Sequence, residues 1–128
     1  MEEIKKIYVA GDSLISSLGF TTAENREALK AGLTGIKEVH DPALYSEGFP
    51  AARIDRVRWK EEVKKARLEN YAPLEQLFIL CIGQVSRLTG INLRDPEVGL
   101  ILASTKGNID QIRQPSAYLW KMGQRIAE

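Results

Sequence analysis

Leu74, Leu77, Phe78, Cys81, Ile82, Val85 and Leu88 recur at steps of three and four, the spacing that lines side chains along one stripe of an α-helix. Pro73 suits the first turn of that helix, where its missing N–H has no intrahelical partner, and Gly90 supplies a left-handed stop. Ile79 and Leu80 fall off the stripe, so the helix is expected to be covered on more than one side. Two other segments follow a different pattern. Lys6-Ile7-Tyr8-Val9-Ala10 is a short β-branched and aromatic run ending at Gly11, and Val98-Gly99-Leu100-Ile101-Leu102-Ala103 is a continuous apolar run ending in the polar turn Ser104 to Asn108. Both predict buried strands, the second one covered on both faces. Between them, Thr21 and Glu24 stand in capping-box spacing ahead of Ala28, Leu29 and Ala31, with Gly32 as the stop, and predict a short helix. Residues 33–50, with Gly35, Pro42, Gly48 and Pro50, predict an ordered loop leading to a brief strand at 51–54. After Pro115, the stripe of Leu119, Met122 and Ile126 predicts a last helix. Strands alternating with helices indicate an α/β layer architecture. Three strands, two of them central in character, make an incomplete sheet with uncovered edges.

Composition narrows this picture. The 128 residues carry 18 Lys+Arg against 17 Asp+Glu, a net charge of +1, so no whole-chain field favours nucleic acid. The length suits one domain or a piece of one. One Cys and one His exclude an intrachain disulfide and a Cys/His zinc cage, so no metal or other cofactor is expected. The longest apolar run is far too short to span a bilayer, and Met1-Glu2-Glu3 does not open a signal peptide, which points to a cytoplasmic protein without a membrane partner. Charge is concentrated only locally. From Arg53 to Arg67, seven basic residues face three acidic ones, a net of +4 that reads either as a solvated helix face or as a dock for an acidic partner.

Few residues offer chemistry. Gly11-Asp12-Ser13-Leu14 resembles the nucleophile block of the GDSL esterases and lipases, which implies Ser13 as nucleophile. That family draws its base from an Asp-x-x-His pair near the C-terminus, whereas the single histidine here is His40, early in the chain, with Lys37 at the matching aspartate position. Gly11 and Gly19 do not form a dinucleotide fingerprint, and Thr105-Lys106-Gly107 reverses the order of a P-loop. Cys81 lies on the apolar stripe and reads as a packing thiol, and Trp59 and Trp120 read as core or interface anchors.

Taken in order, the pieces resemble the opening of a β-ketoacyl synthase of the thiolase-like superfamily. Ile7-Tyr8-Val9-Ala10-Gly11 through Ser17-Leu18-Gly19, then Asn25 to Ile36, is similar to that family's first strand, glycine loop and first helix. Ala51-Ala52-Arg53-Ile54-Asp55 is similar to its second strand, and the helix from Pro73 with the strand from Val98 into Lys106-Gly107 completes the likeness. The resemblance implies a thiolase-like partial half in which residues 1–128 form the front part of the N-terminal domain of a 3-oxoacyl-[acyl carrier protein] synthase. Such an enzyme is an acyltransferase for decarboxylative condensation in fatty acid or polyketide synthesis. The family's nucleophilic cysteine and its histidines would lie beyond these residues, so no catalytic residue is expected in the chain and it should be inactive alone. The resemblance also implies an acyl carrier protein as partner, docking on Lys64, Lys65 and Arg67. Self-association or a homo-oligomer is expected from the exposed strand edges. The alternatives that stay open are a noncatalytic module binding a carrier protein or companion subunit, and the GDSL-type serine esterase.

Overall fold

The computed structural model describes residues 6–108, which form three helices and one two-stranded antiparallel sheet, a small α/β arrangement. The element order is α1 (Thr22–Lys30), β1 (Ile36–Val39), β2 (Phe49–Ala52), α2 (Arg56–Lys65) and α3 (Pro73–Thr89). The expected helix after Pro115 lies outside the described residues.

The caps explain where the helices begin and end. Thr21 Oγ1 accepts the Glu24 N–H at 3.1 Å, while the Glu24 carboxylate reaches back to the Phe20 N–H at 2.7 Å, one residue earlier than the usual reciprocal bond. At the other end of α1, Gly32 takes φ +76° and Leu33 N–H closes on Ala28 O at 3.0 Å. Asp55 Oδ1 caps α2 by accepting from Val57 and Arg58 N–H. That helix ends in the same motif as α1, but with Arg67 in the left-handed position at φ 57°, and Leu68 N–H bonds to Val63 O at 2.9 Å. Pro73 opens α3 as the sequence predicts, Glu75 accepts the Ala72 N–H at 3.0 Å, and Gly90 closes the helix at φ 71°.

The core sits between α2 and α3. Val63, Leu68 and Leu80 are buried together, Ile15 and Trp59 pack against them, and Phe20 and Ala72 are buried nearby. Leu80, off the apolar stripe, is the most buried residue of α3, whereas Ile79 beside it and Leu88 on the stripe are exposed, so the described residues do not cover the helix on more than one side as expected.

The polar loop before α1 is fixed by two amides. Asn25, 2% exposed, donates from Nδ2 to the carbonyls of Leu14, Gly19 and Thr21, and its Oδ1 accepts from Ser16 Oγ. Gln84 on α3 donates to Phe20 O at 2.8 Å and accepts from Ser13 Oγ at 2.7 Å. Loop, α1 and α3 are thereby tied through half-buried polar contacts around the buried Asn25.

Three strand expectations need correction. Residues 6–10 and 98–103 form neither helix nor strand and join no ladder among the described residues, and Ile7 and Ile101 are 95% and 94% exposed. Strand propensity alone does not make a strand: a ladder needs a neighbour, and the described residues offer none to these segments. The strand expected at 51–54 is instead β2, Phe49–Ala52, and it pairs with a strand inside the segment read as a loop, with Val39 opposite Phe49 and Ile36 opposite Ala52. Gly35 turns the chain into β1 at φ +69°, where a Cβ would run into Ser17 and Leu18.

Candidate functional site

Arg56, Trp59, Lys60, Val63 and Lys64 stand at positions i, i+3, i+4, i+7 and i+8 and share one face of α2. With Glu69 from the α2–α3 connection and Pro73 and Gln76 from α3, they line a groove of about 640 Å³. Its floor is apolar, because Trp59 and Val63 also belong to the core packing. Along its α2 side run three cations one helical turn apart.

The three residues singled out for docking fall at the end of this helix, all exposed. Lys64 lines the groove. Lys65 does not: its Nζ lies 2.8 Å from Glu62 Oε1, and that carboxylate holds the ammonium pKa above its ordinary value. Arg67 occupies the left-handed turn after the helix. Sequence reasoning missed Arg56 and Lys60 as companions of Lys64; their signal is the spacing of 56, 60 and 64, hidden in a segment read only for its net charge.

A second cavity, about 650 Å³, lies among α1, α2 and α3, with Arg26, Arg58 and Arg87 in its lining beside Asp12 and Glu62. Arg58 is committed there. Its guanidinium makes two 2.8 Å bonds to the Glu24 carboxylate and stands 4.7 Å over the Phe20 ring. The Arg58 hydrogen bonds, followed by the Phe20 N–H, hold the Glu24 carboxyl below the ordinary value of 4.5. The folded chain therefore releases the Glu24 proton more readily than the unfolded chain does. The stabilisation is complete above about pH 4.5 and is lost as pH falls through the lower folded value. Glu24→Gln is accordingly expected to lower the urea midpoint at neutral pH, with the gap to wild type narrowing as pH falls below 4.5. A gap independent of pH would show that the pair does not contribute through its charge.

The residues offered for nucleophilic chemistry are not brought together. Ser13 Oγ donates to Gln84, whereas His40 leaves the β1 end of the hairpin with Nε2 3.5 Å from Glu38 Oε1. Cys81 is half-buried on α3. Among the described residues, no group of three His, Cys, Asp or Glu side chains converges as a metal site. No described helix is long and apolar enough to cross a membrane. No family model matches this chain, and neither a curated protein nor a solved structure matches it.

Proposed function

We propose that this chain is the N-terminal portion of a cytoplasmic β-ketoacyl-[acyl carrier protein] synthase of the thiolase-like type, and that its own task is to receive the carrier. The observation that carries this reading is the pair of apolar segments, 6–10 and 98–103, whose side chains lie in solvent. A layered α/β half would place both in one sheet and cover the outer residues of α3. The described residues contribute helices, caps and a core, and leave that sheet to be completed by further polypeptide.

In the complete enzyme a thiolate takes the acyl group and a second set of side chains promotes decarboxylation of the extender. Neither role falls to this chain. Its contribution is electrostatic: the basic end of α2, with Lys64, Lys65 and Arg67, attracts an acidic carrier over a range set by ionic strength and orients it on encounter. The cation row on α2 equally favours the second reading, a noncatalytic module that binds a carrier or companion subunit.

The test is kinetic. Stopped-flow association of the chain with an acyl carrier protein at low salt is expected to slow about tenfold or more when Lys64, Lys65 and Arg67 are all replaced by Glu, with a smaller change in dissociation. Equal association rates for wild type and the reversed variant would remove these residues from docking.

A further inference from the structure

The cation row of the α2 groove serves no ion pair. Arg53, Arg58 and Lys65 each have a carboxylate partner, at 2.9, 2.8 and 2.8 Å, but Arg56, Lys60 and Lys64 have none among the described residues. Like charges one turn apart weaken a helix, so helix stability does not account for the row. Its neighbours are apolar: Trp59 and Val63 lie between the cations on the same face, and Pro73 comes from α3. From Arg56 to Lys64 the groove runs roughly 12 Å along the helix axis.

We infer that this groove binds a small organic monoanion with an unbranched apolar tail, the tail laid along Trp59, Val63 and Pro73 and the anionic head among Arg56, Lys60 and Lys64. The volume of about 640 Å³ lies within the range of small-molecule sites. Charge decides the class of ligand. Among the described residues, the cations at the groove all come from α2, and the carboxylate that lines it, Glu69, comes from the α2–α3 connection. That arrangement suits an occupant whose negative charge lies at one edge, against the α2 cations, and whose apolar part lies against Trp59, Val63 and Pro73. Lys64 belongs to both this site and the proposed carrier dock, but Arg56 and Lys60 line this groove alone and Lys65 and Arg67 do not line it, so the two readings are tested by different residues.

The probe is decanoate, titrated below its micelle concentration into the chain carrying Trp120→Phe, so that Trp59 alone reports by fluorescence. Saturable one-to-one binding is expected. Affinity should fall about tenfold or more in the triple variant Arg56→Gln/Lys60→Gln/Lys64→Gln, each cation contributing a few-fold. Lys30→Gln/Lys37→Gln, which removes charge away from the groove, should bind as the parent does. Decanol, the neutral analogue, should bind about tenfold more weakly than decanoate. Far-ultraviolet circular dichroism confirms that the triple variant remains folded. Absence of saturation, equal affinity in a folded triple variant, or equal affinity for decanol would each overturn the inference.

Discussion

Asn25→Leu is expected to destabilise the chain by about 3 kcal/mol, a large fraction of what a small domain possesses. Leucine matches the volume of the amide but leaves the carbonyls of Leu14, Gly19 and Thr21 without their donor in a site from which water is nearly excluded. Ser16 loses its acceptor as well. Each orphaned buried group costs about 1–3 kcal/mol, partly offset by the apolar replacement and by relaxation of the loop. Asn25→Asp keeps the shape but turns an acceptor toward three carbonyl oxygens, and is expected to be at least as harmful. Urea unfolding followed by circular dichroism measures both; a loss below about 1 kcal/mol for either would mean the loop is held by other contacts.

The second large effect concerns assembly. Val98 to Leu102 carries no charge, and Leu100, Ile101 and Leu102 are all exposed, as are Ile7, Tyr8 and Val9. Uncharged, apolar segments of strand-like composition that have no strand partner among the described residues are templates for pairing between chains. Sedimentation velocity is expected to show a monomer at low micromolar concentration giving way to oligomers as concentration rises. Ile101→Lys should abolish that association while leaving the urea midpoint of the monomer unchanged, because a side chain 94% in solvent contributes nothing to the monomer fold. A parent chain that stays monomeric at high concentration would contradict this.

The elements legible in the sequence are those fixed locally. The stripe from Leu74 to Leu88 with Pro73 and Gly90, and Thr21 with Glu24 and Gly32, gave α3 and α1 because caps and periodicity act within a few residues. Strand pairing acts over longer range. Residues 6–10 and 98–103 carry a strand's residues but have no strand partner among the described residues, while Ile36–Val39 pairs across a loop with a strand containing Pro50, which sequence reading treats as a breaker. Asn25 was equally hidden, since an asparagine between glutamate and arginine on a helix reads as solvent-facing until the preceding loop folds over it. Of the candidate site, the basic character of α2 was legible. The division of its cations into paired and unpaired ones was not, because it depends on where Glu24, Asp41 and Glu62 come to lie.

Hydrogen exchange of the chain at low micromolar concentration tests most directly whether residues 6–10 and 98–103 belong to a sheet that this polypeptide does not complete. Amides of both segments should exchange at nearly the rate of an unfolded peptide while those of Leu80 to Val85 in α3 remain protected, with slowing at 98–103 as oligomers form. Strong protection of both segments in the dilute monomer would mean the chain closes its own sheet, and the account of it as part of a larger condensing enzyme would lose its footing.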